Sequence, residues 1–331
     1  MAPGLVLSDS PSPVRESDHS SSSMDKPTVY LMDKFHPAAE AHAQKLFNAI
    51  LPTDPEFQNW QQNAEYLLIK SSYLNASQIE SATKLRAIGK QGVGLDRIDV
   101  EACKARDIRV FNTPGVNANA VAELVLTLTM AVARGIGPLQ VRQSRGEAVA
   151  KETCSGLIMT GKKLGLIGMG NIGKTVARIF RGAFDARVVA YDPYMPDHAW
   201  DDVEHTRAQT VPEVLREADV VSVHVPLTPE TRDLITYKDM ATMKSNAIII
   251  NTARGGIINE ADLVQALTDG LIWGAGLDCH EQEPPTAEKY AKLWKHPRVV
   301  STPHIGAATA QTQMETAMAA VDKLHNFIVA S

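Results

Sequence analysis

Three side chains in the C-terminal part of the chain could together hold an anion and move a proton. Arg254 lies in Asn251-Thr-Ala-Arg254-Gly-Gly256, just after the apolar run Ile248–Ile250. Its planar guanidinium can grip a carboxylate with two hydrogen bonds and stays charged at any working pH. Glu283 lies in Leu277-Asp-Cys-His-Glu-Gln-Glu283-Pro-Pro285, where the following proline keeps its backbone extended. His304 lies in Ser301-Thr-Pro303-His304-Ile-Gly306, and histidine exchanges protons near neutral pH without large perturbation. Taken singly, a surface Arg, a solvated turn carboxylate and a capping or core His are the commoner explanations. Read together, the three stand at the ends of successive strands, where open α/β sheets place ligands.

A fourth feature says what such a set could serve. Lys163-Lys-Leu-Gly-Leu-Ile-Gly168-Met-Gly170-Asn-Ile-Gly173 reads as a buried strand entering a Gly-x-Gly-x-x-Gly turn and then a helix. Gly168 permits the turn, Gly170 lets the backbone approach a pyrophosphate, and Gly173 lets helix and strand pack closely. The helix N-terminus would aim its N–H groups at that pyrophosphate. A second strand, Arg187-Val-Val-Ala-Tyr191, ends at Asp192, which is 192 − 168 = 24 positions beyond the first glycine. A carboxylate ~20 positions on is expected to bind the adenosine ribose, and it would repel a 2′-phosphate. Pro193-Tyr194-Met195-Pro196 offers no cation to neutralise one. NAD is the expected cofactor. A nicotinamide carries the hydride itself, which leaves the protein an anion clamp, an acid–base and a group to tune that base. Arg254, His304 and Glu283 are of those types.

The elements that must position these groups follow from composition and pattern. At 331 residues, with 44% hydrophobic and 21% charged residues, the chain suits two soluble domains. Its formal net charge of −5 argues against nucleic-acid or anionic-membrane partners, which need a basic surface. Cys103, Cys154 and Cys279 are too scattered for a disulfide framework or a zinc site, so a reducing compartment and no metal are expected. Residues 1–26 are Ser/Pro-rich and read as a disordered tail without a secretory or transit pattern, which makes the cytoplasm the expected location. Val29–Met32, Tyr66–Ile69, Leu85–Ile88 and Ile108–Phe111 read as strands, with helices over Ala38–Ile50, Ala76–Ala82 and Val100–Ala105 between them. Asn117–Ala133 reads as a long apolar bridging helix. Beyond the glycine turn, strands are expected at Val220–Val223, Ile248–Asn251, Ile272–Leu277 and Val299–Ser301, with a helix at Glu260–Leu267. A last amphipathic helix, about 307–329, is expected to return to the N-terminal part. The fold class is therefore α/β, with two doubly wound parallel-sheet domains. The expected limits are 117–303 for the dinucleotide-binding domain and 27–116 plus 304–331 for a discontinuous substrate domain.

From about Thr28 to the C-terminus the chain resembles the D-isomer-specific 2-hydroxyacid dehydrogenase family, and most of all its phosphoglycerate-dehydrogenase-like branch. The stretches that carry the resemblance are Gly92-Val-Gly-Leu-Asp96-Arg-Ile-Asp99, Asn112–Asn117 through Val121-Ala-Glu123, Gly168–Gly173, Tyr191–Tyr194, Asn251–Gly256, Glu281–Pro284 and Thr302–Ala307. The resemblance implies a Rossmann-type NAD domain beside a flavodoxin-like substrate domain, assembled as a homodimer. It implies an NAD-dependent oxidoreductase that interconverts a 2-oxo acid and a D-2-hydroxy acid by hydride transfer. Arg254 would bind substrate, Glu283 would partner the histidine, and His304 would be the acid–base. It further implies that Gly168, Gly170, Asn171, Ile172, Gly173, Asp192, Val225, Thr252, Ala253, Asp278 and Gly306 bind the cofactor. Lys70, Val93, Gly94 and Asn117 would join Arg254 around the substrate. Two departures stand out. Asp278-Cys279-His280 replaces a frequent Asp-Val-Phe, with His280 read as structural, and Lys70 and Lys90 stand where phosphoglycerate enzymes commonly carry arginine. The alternative reading is a dinucleotide-sensing transcriptional corepressor, which shares this fold and even the triad.

Overall fold

The computed structural model describes residues 26–196 and 198–330, so almost all of the tail expected to be disordered lies outside the described residues. The chain builds two parallel sheets. The first contains five strands, β1 (Thr28–Leu31), β2 (Asn48–Ile50), β3 (Tyr66–Ile69), β4 (Ala87–Lys90) and β5 (Arg109–Phe111), in the order β2-β1-β3-β4-β5. That is the flavodoxin-like order. Between the strands run α1 (Pro37–Leu46), α2 (Trp60–Asn63), α3 (Ala76–Ser81) and α4 (Val100–Ala105). Tyr66–Ile69 is buried along its whole length, as a parallel strand covered on both faces must be.

α5 (Ala118–Arg134) leads out of this sheet and ends at Gly135, whose φ of 60° supplies the left-handed cap, and α6 (Ile136–Ser144) follows. The second sheet has seven strands: β6 (Lys163–Ile167), β7 (Arg187–Tyr191), β8 (Thr206–Arg207), β9 (Val220–Val223), β10 (Ile248–Asn251), β11 (Gly274–Leu277) and β12 (Val299–Ser301). Their order, β12-β11-β10-β9-β6-β7-β8, repeats the Rossmann arrangement with one strand added at the edge. The crossing helices are α7 (Asn171–Phe184), α8 (Val211–Glu217), α9 (Tyr237–Met240), α10 (Glu260–Thr268) and α11 (Ala287–Trp294). α5 and α7 pack on one face around Leu128, Val176 and Phe180. The final helix, α12 (Ala310–Ala330), lies against α1 and β4, burying Ala317, Ala320, Val321 and Leu324 in the first sheet's core.

Several boundaries differ from the sequence expectation. The helix expected over 38–50 ends at Leu46, and Asn48–Ile50 is the edge strand β2, paired with Thr28–Tyr30. Phe47 turns extended between them and is buried, so tertiary packing overrides the continuing apolar period. The strand expected at Leu85–Ile88 sits two positions later, at Ala87–Lys90. Gly89 is poor strand material by propensity. Here it is needed, because an added Cβ would fall 2.7 Å from Leu68 Cδ2 and 3.0 Å from the Ala320 carbonyl of α12.

That contact makes a testable contrast. Gly89→Val should overpack the seam between β4 and α12 and destabilise by ~1–3 kcal/mol. Gly182→Ala, in the interior of α7 with open space around it, should stabilise by ~0.5–1 kcal/mol. Urea unfolding of both variants checks the pair, and equal effects would contradict this packing.

Candidate active site

The C-terminal ends of β9 to β12 lie side by side, and each delivers one segment of the site. After β10, Asn251 folds the Thr252–Arg254 turn back on itself, its Oδ1 accepting from the Ala253 N–H at 3.0 Å and its Nδ2 donating to the Arg254 carbonyl at 2.7 Å. The next residue rests on the β11 loop so closely that a Cβ on Gly255 would overlap the His280 backbone. Arg254 thereby points across the cleft to the first sheet. Its Nε and Nη2 donate to one oxygen of Asp96 at 3.0 and 2.9 Å, and Nη1 donates to the Ala253 carbonyl at 2.6 Å. Three of a guanidinium's five N–H groups are thus engaged. Gly94 is pressed against this pair, and a Cβ there would collide with Arg254 Nη2. Burial pushes the Asp96 carboxyl up, but the charge and hydrogen bonds of Arg254 outweigh it and hold Asp96 below the usual carboxylate range.

Glu283 and His304 meet as the sequence suggested. His304 Nδ1 lies 2.9 and 3.0 Å from the two Glu283 oxygens. Burial raises the Glu283 carboxyl, yet the hydrogen bond and charge of His304 prevail and keep it low. His304 adopts φ 57°, a left-handed conformation rare outside glycine. Asp278, which is 1% exposed, holds it there. Its backbone carbonyl accepts from the His304 N–H at 2.8 Å. Its side chain accepts from Thr302 Oγ1 at 2.6 Å, from the Ile305 N–H at 2.7 Å and from the Gly306 N–H at 2.8 Å. His280 is a different kind of residue. It is buried, its Nε2 meets Ser301 Oγ at 2.8 Å, and its ring abuts Tyr290 edge-on. Burial pushes its imidazole down despite the nearby Glu283.

The glycine turn has the geometry its spacing asked for. Gly168 has φ 103°, with the His224 carbonyl only 2.6 Å from where a Cβ would sit and Val225 Cγ1 at 3.1 Å. A Cβ on Gly173 would strike the Gly168 carbonyl at 2.4 Å, whereas Gly170 faces open space at the start of α7 beside Asn171 and Ile172. Asp192 accepts the Met169 N–H at 2.9 Å and the Tyr194 N–H at 3.0 Å, which fixes its carboxylate at the rim of the turn. Two buried oxygens, Asn117 Oδ1 at the start of α5 and Thr252 Oγ1 after β10, have no hydrogen-bond partner among the described residues. An open glycine at a helix N-terminus, a carboxylate at the rim of the turn and polar atoms without partners fit NAD. Arg207 on β8 was not foreseen. It brings a guanidinium to this rim, but spends it on the carbonyls of Asp192 at 2.6 Å, Met195 at 2.5 Å and Pro196 at 3.1 Å.

On the opposite wall, Asp33 after β1 accepts the N–H groups of Lys70, Ser71 and Ser72 at 2.7, 3.0 and 3.2 Å, shaping the end of β3. Lys90 Nζ turns inward to the Lys70 carbonyl at 2.9 Å and the Gln91 carbonyl at 2.5 Å. Burial pushes Lys90 down to about 8, helped by the charges of Arg97 and Arg254 and opposed by Asp33. Val93 presents its side chain to solvent, and its carbonyl accepts from Asn112 Nδ2 at 2.7 Å. The sequence reading missed Asp96 and Asn251 as partners of Arg254. Asp96 stood in a quoted motif, yet nothing in its spacing reveals a contact across the cleft.

Residues 126–306 match the family described as "D-isomer specific 2-hydroxyacid dehydrogenase, NAD binding domain". The chain belongs to the D-isomer-specific 2-hydroxyacid dehydrogenase family. It is 42% identical over 261 residues to a hydroxypyruvate reductase of Thermotoga maritima, covering 78% of this chain and 83% of that protein. It is 40% identical over 252 residues to a D-3-phosphoglycerate dehydrogenase of Methanocaldococcus jannaschii, covering 76% of this chain but only 47% of that longer protein. A D-isomer specific 2-hydroxyacid dehydrogenase of Lactobacillus delbrueckii ssp. bulgaricus, solved in its NAD-complexed form, superposes with a TM-score of 0.75 at 26% identity, over 92% of this chain and 98% of that one. The 2-hydroxyacid dehydrogenase reading therefore holds: the chain is an NAD-dependent oxidoreductase that interconverts 2-oxo and 2-hydroxy acids. These relatives are enzymes, and the corepressor reading gains no support from them.

Asp192 generates a prediction on the cofactor. NADH should be preferred over NADPH by at least ~10-fold, about 1.4 kcal/mol. Asp192→Ala should narrow that gap, and initial rates with both cofactors measure it. Equal efficiency of the two in the unaltered protein would contradict the role of Asp192.

Proposed function

We propose that this chain reduces a short 2-oxo acid of the hydroxypyruvate type to the D-2-hydroxy acid, with Arg254, Glu283 and His304 as its working side chains. The observation that carries this reading is the bifurcated His304–Glu283 contact at 2.9 and 3.0 Å, formed on the same strand-end surface that presents Arg254. In the reductive direction, protonated His304 gives its Nε2 proton to the substrate oxygen, and Glu283 at Nδ1 orients the ring and favours the charged imidazolium. The two guanidinium N–H groups of Arg254 not used by Asp96 and Ala253 hold the substrate carboxylate and polarise the carbonyl. NADH, when bound, supplies the hydride. Gly168, Gly170, Asn171, Ile172, Gly173, Asp192, Val225, Thr252 and Ala253 would hold it. Asp278 and Gly306 contribute through the turn that carries His304. Val93, Gly94, Asn117 and Lys70 line the substrate side, with the Val93 and Gly94 N–H groups facing the carboxylate, since the Gly92 N–H already donates to Thr113 Oγ1 at 2.9 Å.

The units bounded near 116–117 and 303–304 act as substrate and dinucleotide domains, and the protein works as a cytoplasmic homodimer without nucleic-acid or membrane partners. Among the described residues no single helix is long and apolar enough to cross a membrane. A second substrate reading rests on Lys70, Lys90 and Arg97, which gather positive charge at the ends of β3 and β4 and would suit a phosphorylated 2-oxo acid. Lys90 already spends its Nζ on two carbonyls, which favours the uncharged substituent. A panel of pyruvate, glyoxylate, hydroxypyruvate and phosphohydroxypyruvate assayed with NADH decides between them.

His304→Ala should lower turnover by ~10²–10⁴ while NADH still binds. Glu283→Gln keeps a hydrogen bond but removes the anion that stabilises imidazolium. Turnover of this variant should fall by ~10-fold or more in initial rates at saturating NADH. Turnover equal to that of the unaltered enzyme would remove Glu283 from the mechanism. A pH dependence is expected from Lys90. It is charged below about 8 and neutral above, so KM for an anionic substrate should rise as pH passes that value. Lys90→Arg, charged throughout, should abolish this rise, and a limb that persists in the variant would assign it to another group.

A further inference from the structure

The loop after β11 carries a residue that the acid–base chemistry does not use. Cys279 is buried beneath the Glu283–His304 pair, and its thiol makes only a weak contact, Sγ to the Ala253 carbonyl at 3.3 Å. Its sulfur, a Glu283 oxygen and a His304 ring nitrogen all lie within 4.8 Å of one another. His304 lies 21 positions beyond Glu283 in sequence, so the cysteine count gave no hint of the set. The folded chain brings them together because β11 and β12 are neighbours and end level with each other.

We propose that Cys279, Glu283 and His304 form a binding site for Zn²⁺, and that its occupation inhibits the enzyme by taking apart the acid–base pair. The donor set is thiolate, imidazole and carboxylate, which suits zinc and not the hard all-oxygen preference of magnesium or calcium. With Zn–S of about 2.3 Å and Zn–N and Zn–O of about 2.0–2.2 Å, tetrahedral ligand atoms lie roughly 3.2–3.6 Å apart. The His304–Glu283 separation is already close to that, and the thiol needs to give up only its contact with Ala253. Three protein ligands leave a fourth position for water. Glu283 and His304 are both partly exposed, so the ion can enter from the solvent side while the sulfur closes the site from beneath.

The protons balance simply. Cys279 must lose its thiol proton to solvent. The proton on His304 Nδ1 leaves that nitrogen, moving to Nε2 if the ring is neutral or to solvent if it is an imidazolium. Burial pushes the Cys279 thiol well up, so binding costs a proton that is hard to remove, and zinc affinity should climb with pH. Once the ion is bound, Nδ1 no longer donates to Glu283, and the carboxylate is committed to the metal. The hydride-transfer chemistry itself calls for no metal, so zinc acts here only as an inhibitor.

The test uses the full chain, freed of metal, in a Cys154→Ser background that removes the exposed thiol and leaves Cys103 buried. Zn²⁺ should inhibit NADH-dependent reduction reversibly, with a chelator restoring activity. Cys279→Val, which supplies no ligand atom, should keep its metal-free turnover and lose at least 10-fold in zinc sensitivity. Co²⁺ provides a readout that does not depend on turnover or on the substrate assignment. The Cys279-containing protein should show a thiolate-to-cobalt charge-transfer band that is absent in Cys279→Val and altered in His304→Ala. Equal zinc inhibition with and without Cys279, or no such band in the protein that retains Cys279, would overturn the site. If Cys279→Val does not fold, the cobalt spectrum of the Cys279 protein still decides the matter, since Cys103 belongs to no such histidine–carboxylate cluster among the described residues.

Discussion

The site depends on a single buried carboxylate. Asp278 accepts four hydrogen bonds from residues 302–306, counting its carbonyl and both side-chain oxygens, and so ties the end of β12 to the end of β11. A non-glycine residue at φ 57° costs on the order of 1–3 kcal/mol. Hydrogen bonds to a charged acceptor contribute roughly 1.5–3 kcal/mol each, so the clamp can hold His304 in that conformation with stability to spare. The strain has a use. The left-handed turn reverses the chain within one residue, which lets His304 face Glu283 while the next residues feed into the helix that closes the first sheet. A carboxylate expected to touch the cofactor thus has its side-chain oxygens engaged by the polypeptide, and its first effect on chemistry is to aim the histidine.

A second constraint is steric and runs across the cleft. Arg254 can reach Asp96 only because Gly94 has no side chain, and the Arg254 turn can rest on His280 only because Gly255 has none. Both glycines therefore act on the position of one guanidinium. The Arg254–Asp96 contact also has an electrostatic consequence. Asp96 offsets part of the positive charge that Arg254 brings to the wall where Lys90 and Arg97 already stand. Without it, the desolvated Lys90 would feel more repulsion and hold its proton less firmly.

Much of this was legible in the sequence, and the parts that were not share a cause. Strands such as Tyr66–Ile69, Val220–Val223 and Ile248–Asn251 are short apolar runs bounded by polar punctuation, buried on both faces, and the pattern alone finds them. The glycine turn was readable because each glycine answers a local demand. β2 and the position of β4 were not, because Phe47 and Gly89 are placed by contacts with distant segments, the C-terminal helix among them. The same division holds in the site. Glu283 and His304 stand in motifs with their own turn chemistry, whereas Asp96, Asn251 and Arg207 gain meaning only from what the fold sets opposite them.

The electrostatic layout separates the two kinds of anion that the site must handle. At the nucleotide end, Asp192 is held by backbone N–H groups, and the one nearby guanidinium, Arg207, is consumed by carbonyls. Under the proposed function the Asp192 carboxylate would accept ribose hydroxyls, while Arg207, already hydrogen-bonded to three carbonyls, would have to give these up to grip a 2′-phosphate. At the Arg254 end, Arg254, Lys90 and Arg97 outnumber Asp33 and Asp96, a balance that would draw in the carboxylate of the proposed substrate. The excess is modest because Lys90 is buried and titrates near neutrality, at about 8. With the proposed function, a cleft of this layout would suit a substrate with a single carboxylate, which one guanidinium can satisfy. A second strong anion would need the cations to leave the carbonyls they already bind.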